Sequence, residues 1–540
     1  MIKAIIENSI LLTALRKLPE WYRMGAIARF FRAIADAYPS SKFRKFWQSF
    51  CAAPLPTEYT SKYTRMCTAC RKWIEKWGAW IRQSLVYRLC IAVWTPVSRV
   101  CGAGVIGGAL RFLGMRGLLL FCLAMYLPID YLLRSVLGIG FLASVWDEGF
   151  LLLCVCYLIW HTAMGRAPLG SRVTPLEGYL WLFIGVGFFL MCAVSPVPSI
   201  AVDGLRAEVQ YLLWFFVAIR LIEDDRDFGI FYGALLFLGV CVALHGVYQF
   251  IAAVPIPASW VSDTEQGVRT RVFSITGSPN ICGALLVLLA PLAAGMMYFC
   301  KKGWQRFLAL CAVGVMCLSI LFTFSKGAWL GLAVAVLVFA CFLDRRLIAL
   351  MGAGAAAAVI AVPSIANRIT YLFTADYVEA SQRAGRMVRW ETGLRLLEES
   401  NRWLGFGLGR FGGAVAMQNQ VIEVIKMPDG TDSFSYFYMD NYYLKTLVEM
   451  GYIGLFFFLL LLVGLVLWSL RAIGRTKLSK NNRARVLPVA LFSGMAGVLA
   501  HCYFENIFEV PYMMAYFWSM AAAILYVGYF RKRRRAAKTN

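Results

Sequence analysis

Apolar runs of about 18 to 22 residues recur along this chain, and runs of that length are what it takes to cross hydrocarbon as a helix. Of its 540 residues, 60% are hydrophobic. The runs do not alternate polar with apolar residues, as the strands of a membrane barrel do. The expected fold class is therefore an all-α polytopic membrane protein with about twelve transmembrane helices. The formal charge of +24 would suit nucleic acid only on a basic soluble face with interleaved aromatics. Here the lysines and arginines flank apolar runs, as the positive-inside rule requires, and no nucleic-acid partner is expected. The 16 cysteines lie mainly in apolar runs. Cys67-x-x-Cys70 has no second pair to complete a zinc or redox site. The N-terminus lacks an apolar core followed by a small-residue cleavage site, so no cleavable signal peptide is expected.

Residues 1–115 mix Arg and Lys with Trp and Phe at helical spacing, as in RKWIEKWGAWIRQSLVYRLCIAVW. Amphipathic helices on the inner leaflet are the simplest account, with a regulatory or partner-binding role as the alternative. A transmembrane domain then fills 116–530, and 531–540 is a basic tail. The first span is expected near 117–134, followed by 149–164, 176–194, 205–222 and 228–252. The basic connection RAIGRTKLSKNNRAR and the terminal RKRRR mark cytoplasmic ends. Both termini are therefore expected inside, with 253–278 and the large loop 365–440 outside. This is the topology of a multi-pass membrane protein with both ends in the cytoplasm.

Polar chemistry gathers between 368 and 455. Arg368, Arg383, Arg386, Arg389, Arg395, Arg402 and Arg410 crowd the outer loop, where Lys426 is the sole lysine between Ile365 and Met439. A guanidinium grips phosphate oxygens bidentately and keeps its charge near a low-dielectric surface. Arg383, Arg386 and Arg389, at i, i+3 and i+6, fall along one helical face; a solvated face balanced by Glu391, Glu398 and Glu399 would show the same pattern. Ser278-Pro279-Asn280 reads as a helix start, with Ser as N-cap and Pro as first helical residue, and its free amides face an anion. The segment MDNYYLKTLVEMGYIG carries Asp440, Asn441, Lys445 and Glu449 into or beside the bilayer. Glu449 in an apolar helix calls for a partner, and Lys445 lies one turn earlier. His501, Glu505 and Glu509 read as a helix-end hydrogen-bond network. The glycines from Gly405 to Gly413 fit either a phosphate cradle or a tight turn back to the membrane.

Four blocks, RTRVFSITGSPNICGALL, FTFSKGAWLGL, RMVRWETGLRLLEESNRWLGFGLGRFGG and MDNYYLKTLVEMGYIGLFFFLLL, resemble in order and spacing the signature blocks of the bacterial O-antigen ligase and O-antigen polymerase (Wzy C-terminal domain) superfamily. The resemblance implies a glycosyltransferase that takes a glycan from an undecaprenyl-pyrophosphate carrier at the outer face and joins it to an acceptor glycan or lipid hydroxyl, with inversion and with no metal or other cofactor. By motif position the pyrophosphate-binding residues resemble Arg271, with Arg269 beside it, and Arg386 or Arg389. Lys326 stands where many members have the Arg of a Ser-Arg-Gly triplet. Asp440 replaces the His of the HNxYL block of lipopolysaccharide ligases and would be the catalytic base, supported by Asn280, Asn441, Lys445 and Glu449. This form resembles the polymerases of Gram-positive polysaccharides such as teichuronic acid.

Two other classes would also place charge in a membrane. A lipid-linked-sugar or polysaccharide transporter predicts halves that echo one another around broken helices, and no such halves are visible. A non-catalytic scaffold of an envelope-synthesis complex would use the basic N-terminal region for docking.

Overall fold

The computed structural model describes residues 33, 40–53, 62–92, 105–165, 172–257, 270–361, 366–367, 370, 374, 386–419, 421, 423–426, 432–435, 439–476 and 483–531. Arg269, Arg368 and Arg383 lie outside them. The chain divides into a unit of Met1–Pro54, in which helix α1 (Lys42–Ala52) is described, and a larger unit of Leu55–Asn540.

The larger unit opens with α2 (Lys62–Gln83) and α3 (Val105–Ala124), then α4 (Gly140–Ala163), α5 (Leu176–Val194), α6 (Pro198–Val209), α7 (Leu213–Leu221) and α8 (Asp225–Ile251). It continues with α9 (Pro279–Phe299), α10 (Gly303–Phe322), α11 (Lys326–Phe342), α12 (Arg346–Ala361) and α13 (Arg386–Glu399). A two-stranded antiparallel hairpin follows, β1 (Glu423–Lys426) with β2 (Asp432–Ser435), pairing Glu423 with Ser435 and Lys426 with Asp432. Then come α14 (Tyr442–Arg475), α15 (Val486–His501) and α16 (Pro511–Leu525). The protein is an α-helical polytopic membrane protein. Among the described residues, seven helices are long and apolar enough to cross a membrane, or eight if the bent pair Phe112–Ala124 and Tyr126–Val136 is one span. Lys326–Phe342, Arg346–Ala357 and Val486–His501 are apolar but shorter.

Three expected boundaries differ. The first span is bent by 67°, because Pro128 has no N–H for the carbonyl of Ala124. The Tyr516 hydroxyl repairs the gap, donating to Ala124 O at 2.9 Å and accepting from Leu127 N at 3.0 Å, as a broken helix in lipid requires. The next span begins at Gly140 rather than after Glu148, so Asp147 is drawn into the bundle. Its Oδ2 accepts from Tyr126 and Tyr211 at 3.1 and 2.8 Å, which offsets the cost of burying a carboxylate. The expected span 205–222 is divided into α6 and α7 by a 3-10 turn at Gln210–Leu212, immediately after Glu208 turns inward.

The centre is α9, α15 and α16, which are buried along most of their lengths. Where α15 crosses its neighbours the contacts are glycines. A Cβ on Gly494 would overlap Leu288 O, and one on Gly497 would meet Gly331 O at 2.6 Å. Lipid gives little hydrophobic drive between helices, so close backbone approach supplies the packing. The N-termini of α9, α11 and α14 gather with the C-terminus of α15 at one end: Asn280 bonds Glu505, Gly327 abuts His501, and Tyr442 N donates to Cys502 O at 2.9 Å. At the opposite end Arg483 Nη1 donates to Cys300 O at 2.7 Å, tying the α14–α15 connection to the end of α9.

Candidate active site at the converging helix ends

Asp440 sits at the turn that feeds α14, with a φ of 51°, a conformation that Asp and Asn tolerate better than other side chains. The turn is held on both sides. Met439 N donates to Gly412 O at 2.9 Å, and Trp390 Nε1 donates to Met439 O at 3.1 Å. Asn441 then caps the helix, its Oδ1 accepting from Tyr443 N and Leu444 N, both at 3.1 Å. From α13, Arg389 Nη1 lies 2.6 Å from Asp440 Oδ2, and Arg386 Nε lies 3.8 Å from the same oxygen. Two guanidinium groups thus address one carboxylate oxygen, leaving the group net positive. The side chains of Arg386 and Arg389 are 38% and 32% exposed, so solvent or a ligand reaches them.

The facing wall comes from the 270s, α9 and the α15–α16 connection. Arg271 Nε donates to Thr323 O at 3.0 Å and its Nη2 to Asn280 Oδ1 at 3.3 Å. Asn280 Nδ2 donates in turn to Glu505 Oε2. Burial, and then the charge of Asp440, push the Glu505 carboxyl up to about 7, against the opposing pull of Asn280 and Arg386. Arg386 also stands 5.9 Å over the ring of Phe504. Lys326 begins α11 beside Gly327, where a Cβ would come within 2.5 Å of His501 Cδ2 and 3.1 Å of Phe504 Cβ. Ser278 precedes Pro279 as expected, but its side chain makes no capping bond. Among the described residues, Asn441 Nδ2 and His501 Nδ1 are buried without a hydrogen-bond partner. The dipoles at the starts of α9, α11 and α14 add positive potential at this end.

Lys445 and Glu449 belong to a different cluster within the bundle. Lys445 Nζ lies 2.8 Å from Glu208, 2.8 Å from Glu449 and 3.2 Å from Glu509, and Tyr442 donates to Glu208. The carboxylates also grip the glycine-rich turn. Glu449 Oε1 accepts from Phe411 N at 3.0 Å and Glu509 Oε2 from Ala414 N at 3.2 Å.

That turn inserts into a break in α14 at Gly451, whose φ is 65°. Phe406 N and Gly407 N donate to Val448 O and Glu449 O at 2.8 and 3.1 Å, while Tyr452 N and Ile453 N donate to Arg402 O and Trp403 O at 3.0 and 3.1 Å. The amides of Phe406 and Gly407 are committed to protein carbonyls, which fits the account of the glycines as a turn into the membrane helix.

Of the residues singled out in the sequence, the structure brings Arg386, Arg389 and Asp440 into one group and Arg271 and Asn280 into its facing wall. Lys445 and Glu449 are set apart. Glu505 joins the site although its helix-end position suggested only a network. Glu208 went unnoticed, and the available signal was a lone carboxylate inside an apolar stretch.

The fold and site together define a polytopic helical membrane protein with an arginine–carboxylate centre where three helix N-termini converge. Residues 311–459 match the family model described as O-Antigen ligase, which supports placing this stretch in the O-antigen ligase and polymerase superfamily. The chain matches no curated protein. The matched stretch contains Lys326, Arg386, Arg389, Asp440, Asn441, Lys445 and Glu449; Arg271, Asn280 and Glu505 lie beyond it and reach the site only by folding. The family points to polysaccharide assembly at a membrane.

Proposed function

We propose that this chain is a membrane glycosyltransferase that transfers or polymerises an oligosaccharide from undecaprenyl pyrophosphate to an acceptor hydroxyl at the outer face of the bacterial cytoplasmic membrane. The observation that carries the proposal is the convergence of Arg386 and Arg389 on Asp440, 3.8 and 2.6 Å from one oxygen, opposite Arg271 and Asn280. In the reaction the acceptor oxygen attacks the anomeric carbon, and the bond from that carbon to the pyrophosphate oxygen breaks. Its electron pair departs with the pyrophosphate, and the acceptor proton passes to the Asp440 carboxylate. Arg386, Arg389 and Arg271 neutralise the charge growing on the leaving group. Without donor, Asp440 serves as counter-ion to Arg389. A bound diphosphate takes over that guanidinium and releases the carboxylate to act as base.

The basic end of the bundle faces the cytoplasm in this reading, with both termini there and the 365–440 loop outside. Reconstitution with a lipid-pyrophosphate-linked oligosaccharide, read as chain extension on a gel, tests the proposal. Asp440→Ala and Arg389→Ala should both lose extension, and unchanged products in both would sink the assigned roles.

A further inference from the structure

We infer that α2 is a membrane-surface helix that binds the acidic headgroups of anionic lipid, at the end of the bundle opposite the arginine–carboxylate site. The inference does not rest on the transferase reading. It goes beyond a general amphipathic character by naming the lipid class and the residues that read it.

Three stripes run along α2. The first docks it to the bundle. A Cβ on Gly78 would overlap the Ala163 carbonyl at the end of α4, and Arg82 Nη1 donates to that carbonyl at 2.8 Å. Tyr63 donates to Glu177 Oε2 at 2.6 Å and accepts from Trp181 Nε1 at 3.1 Å. Glu177 is itself buried against Arg220, whose Nη2 lies 3.1 Å from it. The contacts therefore join α2 to the last residues of α4 and the first of α5.

Glu177 begins α5 and Ser195–Gly204 follows its other end, where a Cβ on Gly204 would clash with Leu408 and Gly409 of the glycine-rich turn. The 19 residues of α5, at about 1.5 Å each, separate α2 from the site by roughly 28 Å, close to the thickness of the hydrocarbon core.

The second stripe is aromatic and outward. Met66, Trp73, Trp77 and Trp80 fall within one narrow sector at 100° per residue and are 56%, 62%, 50% and 76% exposed. Neighbouring rings stand 5.5 and 6.3 Å apart. Exposed Leu85, Val86 and Leu89 extend the apolar surface. The third stripe, beside the second and away from the bundle, holds Lys72 and Lys76, while Lys62 stands at the edge of the aromatic sector; all three are exposed.

α2 is not among the helices apolar enough to cross a membrane. It lies at the end of α4, which is, so its depth is that of the headgroups. There, indole rings take the acyl boundary and ammonium groups take the water side. Charge selects the occupant. The helix carries six basic residues against one acid, Glu75, and that acid is paired with Arg71 at 2.8 Å. A neutral apolar protein surface would leave the lysines without a counter-charge, whereas an anionic bilayer satisfies both stripes together.

The full-length protein in phosphatidylcholine nanodiscs, with and without phosphatidylglycerol, provides the test, read by hydrogen–deuterium exchange of peptides from 62–83. Phosphatidylglycerol should slow exchange of these peptides about fivefold or more. In a Lys62→Gln/Lys72→Gln/Lys76→Gln variant this lipid dependence should vanish. In Trp73→Ser/Trp77→Ser, exchange should quicken in both kinds of disc. Equal exchange of the wild type in the two discs would overturn the inference, as would a triple-lysine variant that still responds like the wild type.

Discussion

Replacing Gly451 by Ala tests whether the glycine-rich turn is seated by the break in α14. Gly451 has a φ of 65° and a ψ of −170°, a region essentially closed to side-chain-bearing residues and costing about 1 to 3 kcal/mol to hold. A Cβ there would also strike Trp403 O and come within 2.6 Å of Gly405 N. To relieve the clash the turn must withdraw. That breaks the four backbone bonds linking Phe406, Gly407, Tyr452 and Ile453 to their partners, at about 0.5 to 1.5 kcal/mol each. Withdrawal exchanges the strain for the lost bonds, so the seating of the turn should weaken by about 2 to 6 kcal/mol.

Hydrogen–deuterium exchange of peptides from 401–419 reads this directly, and a loss of about 2 kcal/mol already raises exchange about thirtyfold. Gly314→Ala is the control, because a Cβ there meets nothing within 4 Å and a helical Gly gains from the change. Protection of 401–419 in Gly451→Ala equal to that of the wild type would refute the reasoning.

Three further outcomes are expected. Arg389→Lys keeps the charge but loses the planar fork, so chain extension should fall about a hundredfold without loss of thermal stability; full activity in this variant would exclude a fork-specific role. Because the Glu505 carboxyl is raised from 4.5 to about 7, the folded state holds that proton more tightly than the unfolded one. Its contribution to stability is fully present below 4.5 and is lost as pH rises through about 7. The unfolding temperature should fall over that window, and Glu505→Gln should flatten the slope. Lys445→Met strands three carboxylates in the bundle and should cost about 3 to 5 kcal/mol, seen as a lower unfolding temperature in detergent. A second change, Glu208→Gln, should recover part of it.

Helical class and membrane residence were legible because a bilayer demands long apolar runs with every backbone group satisfied internally. The arginines were legible as a group because Arg386 and Arg389 are three residues apart on one helix. Asp440 was legible because it stands where the HNxYL block of the resembled family has its His, at the polar entrance to an apolar run. The Lys445–Glu449 pair follows from helical spacing, but the cluster it joins does not. Glu208 is 237 residues from Lys445, and nothing local in the chain announces that contact. The breaks at Met125 and Gly451 were likewise obscure, since what makes each tolerable, the Tyr516 hydroxyl and the 402–407 backbone, comes from elsewhere.

From the order of its residues alone, this chain determines that it is helical, that it lives in lipid, and which short segments carry its guanidinium and carboxylate groups, because those properties depend on neighbours within a turn or two. Tertiary packing decided which of those groups meet. Arg271, Asn280 and Glu505 close the wall opposite Asp440, and Lys445 pairs with Glu208 and Glu509 as well as with Glu449, because buried polar groups find partners across helices that spacing along one helix does not announce.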